Sequence, residues 1–185
     1  MALLGLMLAS TAGSQTVLDT LFDKLRTATD PLAVQALEQG IWEQWTMVPE
    51  PHRQLMLRGI AEMQQQELEA AVVTFTRLID SAPHLSEAWN KRATVHWLLG
   101  NFPASLADIC ETVKREPRHF GAYSGLGMIR AQMGEHARAA AAFELARNWN
   151  PHIVGIDAEI ARQKAEAGGE VADDPLGCGQ RTAGR

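Results

Sequence analysis

Residues 120–152, FGAYSGLGMIRAQMGEHARAAAAFELARNWNPH, hold a complete helix-turn-helix unit. Apolar residues recur at helical spacing on both sides of the short polar turn GEH. The small residues Gly127 and Ala139 allow two helix backbones to approach closely, and Phe143 fills the space beside them. Pro151 ends the second helix, because its ring cannot continue the backbone hydrogen-bond ladder. The stretch therefore predicts a helix, a turn, a second helix and a proline stop.

The same unit recurs along the chain with a period of 34 residues. Prolines at this interval mark the junctions: Pro49, Pro83, Pro117 and Pro151. Small residues keep the same phase in two series: Gly59, Ala93 and Gly127, then Ala71, Ser105 and Ala139. Large apolar residues follow the second series by four positions: Phe75, Ile109 and Phe143. Equal intervals with residue types in phase indicate a repeated structural unit.

A helix-turn-helix of 34 residues with small, small, large and proline positions in this order resembles the tetratricopeptide repeat (TPR). In the last unit the family's positions are matched by Tyr123, Leu126, Gly127, Ala139, Phe143, Ala146 and Pro151. The resemblance implies an all-α TPR solenoid with three full repeats. TPR 1 is expected at 52–85, TPR 2 at 86–119 and TPR 3 at 120–151. The chain is identified as a member of this family, of the small bacterial exported kind.

The segments on either side complete the predicted architecture. Residues 17–49 predict a degenerate TPR-like helical pair, with Asp30 and Pro31 opening its second helix. Residues 152–167 predict a capping helix, since solenoids must cover the apolar face of their terminal repeat. Residues 168–185 are polar and Gly-rich, which predicts a disordered tail.

Residues 1–12, MALLGLMLASTA, form a candidate signal peptide, with Ala12 as the cleavage position. The segment is too short to span a bilayer, which takes about 20 apolar residues. We therefore expect a periplasmic or otherwise exported protein, the alternative being a cytoplasmic protein with an apolar terminus. Membrane contact is expected only through this segment, if it is retained.

Composition excludes some classes of function. The chain carries 17 Lys and Arg against 22 Asp and Glu, a net charge of −5, whereas nucleic-acid binding needs a concentrated basic face. The two cysteines lie in unlike surroundings, Cys110 in an apolar helical stretch and Cys178 in the Gly-rich tail. They predict neither a disulfide framework nor a zinc site.

No pattern in the sequence indicates catalysis. Most of the histidines lie at repeat junctions, so their spacing follows from the repeat: His52, His84, His119 and His152. GxSxG, HExxH and P-loop patterns are absent from the sequence. Asp108 and Glu111 are predicted on a solvent-facing helix surface. We expect no catalytic residue, no metal, no cofactor and no small-molecule substrate.

The resemblance implies a concave groove lined mainly by the first helix of each repeat. The family's register places these residues in the groove: Arg53, Met56, Ile60, Met63, Gln64, Asn90, Thr94, Trp97, Ser124, Met128 and Gln132. Met56 and Met128 are expected to be exposed there, while Trp97 fits the core and the groove equally well.

The groove's composition indicates the class of ligand. Some TPR domains hold a partner's terminal carboxylate with Lys and Asn side chains, and here Met56, Ile60 and Glu87 occupy those positions. A methionine-rich groove instead suits an amphipathic helix or a hydrophobic segment. The expected function is a non-enzymatic adaptor that binds a protein or peptide partner. The alternatives are a chaperone-like assembly factor for membrane or secreted clients and self-assembly by end-to-end stacking.

Overall fold

The structure is a computed structural model and describes residues 4–172, 174 and 176–178, with side chains from residue 16 onward. Within these residues the chain forms nine α-helices and no β-strand, which confirms the all-α prediction. No helix in the described part is both long and apolar enough to cross a membrane. The chain divides into two compact units, Met1–Met47 and Val48–Arg185.

The first unit is a pair of helices, α1 (Leu4–Thr27) and α2 (Pro31–Thr46). Asp30 caps α2, because its side-chain oxygen accepts a hydrogen bond from the backbone N–H of Ala33 at 2.8 Å. Apolar side chains of both helices are buried: Leu18, Phe22, Leu25, Ile41 and Trp45. The degenerate pair is therefore two helices, as the sequence predicts.

The first helix begins earlier than the sequence pattern indicates. It starts at Leu4 rather than near residue 17, so residues 4–12 of the candidate signal peptide belong to α1. Residues 1–3 lie outside the described part of the chain. Cleavage after residue 12 stays a prediction.

The second unit contains the three predicted repeats and the predicted cap. Its helices are α3 (His52–Gln64), α4 (Leu68–Ser81), α5 (Ser86–Leu98), α6 (Phe102–Arg115), α7 (Phe120–Gln132), α8 (His136–Trp149) and α9 (Ile156–Glu166). One antiparallel pair falls within each predicted repeat, and α9 falls within the predicted capping segment.

The turn inside each repeat needs one residue in the left-handed conformation. Gly100 and Gly134 supply it with φ of 72° and 75°. Gln66 occupies the equivalent place in the first repeat with φ of 62°, although it carries a side chain. Glycine adopts this conformation without steric cost, so the second and third repeats use the residue that suits the turn best.

Close approach of the two helices in a repeat explains the small residues. A Cβ added to Gly59 would lie 2.6 Å from the ring of Phe75, and one added to Gly127 would lie 2.7 Å from the ring of Phe143. In the middle repeat the pair is Ala93 and Ile109, both buried in one cluster. A methyl group fits there because the facing side chain is smaller than phenylalanine.

Two apolar clusters run through this unit. The first joins α3, α4 and α5 around Phe75 and Leu78, which are fully buried. The second joins α5 to α9 around Leu126 and Phe143, and it includes Ile156 and Ile160 of α9. The cap helix therefore buries its apolar face against the last repeat, as a terminal solenoid helix must.

The prediction about the cysteines is wrong, and the described residues of the tail contact the helices; residues 173, 175 and 179–185 of the predicted disordered tail lie outside the described residues. A disulfide bond joins Cys110 of α6 to Cys178 in the tail, across a sequence separation of 68 residues. Leu176 packs against the α5–α9 cluster, and its carbonyl accepts a hydrogen bond from Arg130 at 3.3 Å. A covalent link and an apolar anchor order a segment whose composition alone predicts no packing.

Candidate functional site

A cavity opens between α5, α6 and α7, where the second and third repeats meet. The following residues line it: Asn90, Ala93, Thr94, Trp97, Ser105, Ile109, Gly121, Ala122, Ser124, Gly125, Met128 and Ile129. We call this surface the α5–α7 groove. Its base is open because α7 presents glycine and alanine there, where larger residues would fill the space.

The groove is apolar with a few uncharged polar groups. Among the described residues that line it, none carries a charge. Thr94 is held in place because its hydroxyl donates to the carbonyl of Asn90 at 3.0 Å. Trp97 points its indole N–H towards the side-chain oxygen of Gln132, 3.4 Å away. Met128 lies at the edge with 43 % of its surface exposed.

The structure brings together about half of the predicted groove residues. Five line the α5–α7 groove: Asn90, Thr94, Trp97, Ser124 and Met128. Gln132 lies beside them through its contact with Trp97. Trp97 is partly exposed in the groove and also packs against the α5–α9 cluster, so it serves both of the roles that the sequence leaves open.

The predicted residues of the first repeat do not line this cavity. Met56 is only 1 % exposed, which contradicts the expectation of an exposed methionine, because it packs in the α3–α5 cluster. Ile60 and Met63 are partly buried against the same cluster. Arg53 is exposed, and its guanidinium donates to the carbonyl of Val48 at 3.3 Å. Gln64 is exposed at the end of α3.

Sequence reasoning missed the small residues that open the groove. Gly121 and Gly125 are four positions apart, so they share one face of α7. Gly125 and Gly127 lie two positions apart in α7 and have different surroundings. A Cβ added to Gly125 would make only an ordinary contact, 3.8 Å from Ile109, whereas one added to Gly127 would lie 2.7 Å from Phe143. The spacing of two glycines on one face is the signal that could have identified the opening.

A buried polar network holds α5 and α7 together beside the groove. Glu87 and His119 are both fully buried, and the imidazole Nε2 lies 2.8 Å from the carboxylate. Asn90, a groove residue, donates to the same carboxylate at 3.0 Å. Lys91 pairs with its other oxygen at 3.0 Å. The network therefore ties a groove wall to the junction between two repeats.

The hydrogen bonds of His119 define its tautomer. Its Nδ1 accepts from the backbone N–H of Ala122 at 3.1 Å and so caps the start of α7. Since Nδ1 is an acceptor, the proton is on Nε2 and is donated to Glu87. Burial raises the pKa of Glu87, but the hydrogen bond from His119 and the charge of Lys91 outweigh it and lower the pKa overall. The carboxylate is therefore ionised at neutral pH.

The prediction that Asp108 faces solvent is wrong, because Asp108 forms a second, buried ion pair. This residue is 4 % exposed rather than solvent-facing, because its two oxygens accept from Arg92 of α5, each at 2.8 Å. Arg92 also donates to Thr76 of α4 at 2.9 Å, so it links three helices. Glu111 is partly exposed and pairs with Arg115. In the described part of the chain no cluster of His, Cys, Asp and Glu side chains could hold a metal ion.

A family model and two curated relatives match the repeat region of this chain. The tetratricopeptide repeat model matches residues 56–112 and 90–152. A TPR repeat-containing protein of Rhizobium etli is 30% identical over 128 residues, which are 69% of this chain and 63% of that protein. The SGT1 homolog of Oryza sativa subsp. japonica is 30% identical over 79 residues, 43% of this chain and 22% of that protein. The chain therefore spans less than two thirds of the length of each of these curated relatives.

Solved structures show the same fold. The first TPR of Spaghetti (RPAP3), bound to an HSP90 peptide, superposes with a TM-score of 0.62 at 18% identity, over 66% of this chain and 98% of that one. MamA superposes with a TM-score of 0.61 at 17% identity, over 90% of this chain and 88% of that one. Since the repeat model matches more than half of the sequence, the chain belongs to the tetratricopeptide repeat family.

Proposed function

We propose that this chain is a non-enzymatic adaptor that binds a peptide or helix of a partner protein in the α5–α7 groove. The observation that carries the proposal is an apolar cavity at the junction of two repeats, lined by five of the predicted groove residues. Such concave surfaces with a few placed polar groups are typical of ligand sites. The solved Spaghetti domain, which shares the fold, holds an HSP90 peptide.

We infer that the ligand segment is apolar and uncharged. The peptide bound to Spaghetti, SRMEEVD, carries acidic side chains. The α5–α7 groove has no lysine or arginine among its described lining residues to meet such charges. Burying a carboxylate without a cationic partner costs several kcal/mol. The exposed edge of Met128 and the indole of Trp97 instead favour a segment with aliphatic or aromatic side chains.

The test is a selection from a random peptide library displayed on phage, with the full-length protein as bait. We expect enriched peptides to be apolar and poor in Asp and Glu. Met128→Glu should weaken binding of an enriched peptide about tenfold or more, because it adds a charge to the contact surface. The measurement is fluorescence anisotropy with the labelled synthetic peptide.

Met133→Glu is the matched control. Met133 is exposed to a similar degree, 46 % against 43 % for Met128, but it does not line the groove. Its substitution should leave the affinity within about twofold. Equal losses in both variants, or a selection dominated by acidic peptides, would refute the proposed site.

We also propose that the protein works in an exported, oxidising compartment such as the periplasm. The disulfide between Cys110 and Cys178 supports this, because disulfides persist where thiols are not kept reduced. The apolar segment at residues 1–12 is the second support. Fusing residues 1–20 to an alkaline phosphatase without its own leader should give an active enzyme in bacterial cells. An inactive, well-expressed fusion would count against export.

A further inference from the structure

The tail segment after α9 lies against the second unit as a strap. We define the tail strap as residues 168–172, 174 and 176–178. Glu170, Val171 and Ala172 border a shallow surface on α8 and α9 that is rich in alanine. That surface is formed by Ala137, Ala140, Ala141 and Lys164, among others. The strap ends at Cys178, bonded to Cys110 of α6, so it crosses from the cap back to the middle repeat.

The non-covalent attachment of the strap consists of few contacts. In the described part of the chain one long-range hydrogen bond holds it, from Arg130 to the carbonyl of Leu176 at 3.3 Å. The backbone bonds of Glu170 and Gly177 are local, to residues three positions earlier. Arg138 attracts the strap's acidic side chains only electrostatically, and water and salt screen such an attraction. Leu176 also packs, partly buried, against the α5–α9 cluster. The disulfide and this one apolar contact are therefore the main attachments of the strap.

The helices of the repeats pack through side chains other than the two cysteines. Helices α5 to α9 share one continuous cluster of buried side chains that includes Ile109, Phe143 and Ile160. The cap helix is attached by this cluster, which lies before the strap in the sequence. Opening the disulfide would free the strap and leave the packing of the helices in place.

Neither cysteine of the disulfide bond is fully buried. Cys110 and Cys178 are each partly exposed rather than buried. Exchange requires a thiolate to attack one sulfur of the bond, so access decides whether a folded protein reacts. A bond between two partly exposed cysteines, whose opening costs few non-covalent contacts, is more open to exchange than a fully buried disulfide.

We propose that the Cys110–Cys178 bond is a thiol–disulfide exchange site for a dithiol oxidoreductase, and that its opening releases the tail strap. One thiolate of the dithiol attacks a sulfur of the bond, which breaks and leaves a mixed disulfide. The second thiol of the reductant then displaces that sulfur. Two electrons pass to this chain, both cysteines end as thiols, and the dithiol becomes a disulfide. Release removes Glu170, Val171 and Ala172 from the border of the alanine-rich surface of α8 and α9.

The test uses the full-length oxidised protein under native conditions, with dithiothreitol as the dithiol. After quenching with iodoacetamide, the intact mass should show two alkyl groups per chain. Amide exchange of the strap should become about tenfold faster or more on reduction. Circular dichroism should keep its helical signal. Reoxidation with glutathione disulfide should restore slow exchange, which shows that the change is reversible.

Cys178→Ser is the matched control, because it removes the bond without a reductant. Its strap should exchange as fast as that of the reduced protein, and dithiothreitol should not change it further. The proposal fails if alkylation requires a denaturant, if reduction leaves strap exchange unchanged, or if the helical signal is lost on reduction. None of these readouts depends on a ligand in the α5–α7 groove, so the two proposals are tested separately.

Discussion

His119→Ala is expected to lower the free energy of unfolding by about 2–4 kcal/mol, because it removes a hydrogen bond to the buried, ionised carboxylate of Glu87 and the cap of α7. Glu87 and His119 are both 0 % exposed, so water cannot replace the lost hydrogen bond. The substitution also removes the side-chain cap of α7, which accepts from Ala122. Chemical denaturation at neutral pH, followed by circular dichroism, measures the change.

Two other variants show whether the charge is the cause. Glu87→Gln keeps an oxygen that can accept from His119 but removes the buried charge, so its loss should be smaller than that of His119→Ala. His136→Ala breaks a neutral contact, His136 to Gln163 at 2.8 Å, and should cost about 1–2 kcal/mol. If His119→Ala is no more destabilising than His136→Ala, the buried ion network does not stabilise the repeat junction.

Gly127→Ala should be less stable than Gly125→Ala by about 1–3 kcal/mol, the usual cost of overpacking a core. Both glycines lie in α7, and both variants gain the same helix propensity, about 1 kcal/mol. The difference in stability between the two variants therefore measures the steric cost at Gly127 alone. At Gly127 the new methyl group would lie 2.7 Å from three ring atoms of Phe143, whereas at Gly125 the nearest atom is 3.8 Å away.

Thermal and denaturant unfolding of the two variants and the parent protein give the comparison. We expect Gly125→Ala to be at least as stable as the parent and Gly127→Ala to be less stable. A Gly127→Ala/Phe143→Leu double variant should recover part of the loss, because a smaller side chain makes room for the methyl group. Equal stabilities of the two single variants would mean that the ring of Phe143 moves aside at little cost.

The repeat architecture could be predicted from the sequence because its cause is local and periodic. The 34-residue spacing of prolines and small residues predicts the pairs α3–α4, α5–α6 and α7–α8. The register also indicates the groove positions on α5 and α7, since equivalent residues of stacked repeats face the same way. Asn90, Thr94, Ser124 and Met128 line the groove for this reason.

The features that the sequence did not predict depend on partners far along the chain. Asp108 is buried because Arg92, 16 residues earlier, forms two hydrogen bonds with it, and charge patterning within α6 carries no sign of this. The repeat register places Met56 in the groove, but the packing of the neighbouring helices buries it. The disulfide joins residues whose separation of 68 follows no motif. Composition describes the tail's tendency to disorder but not a covalent anchor.

The disulfide also changes what a protease can do to this molecule. Cys110 and Cys178 close a covalent ring that contains α7, α8 and α9. A single cut in the turn at Gly134 would leave the two fragments joined, and the buried cluster would keep them folded together. Two cuts within the ring, or one cut together with reduction, are needed before a fragment can leave. In a compartment rich in proteases, a single cleavage within the ring would therefore leave the protein folded and in one piece.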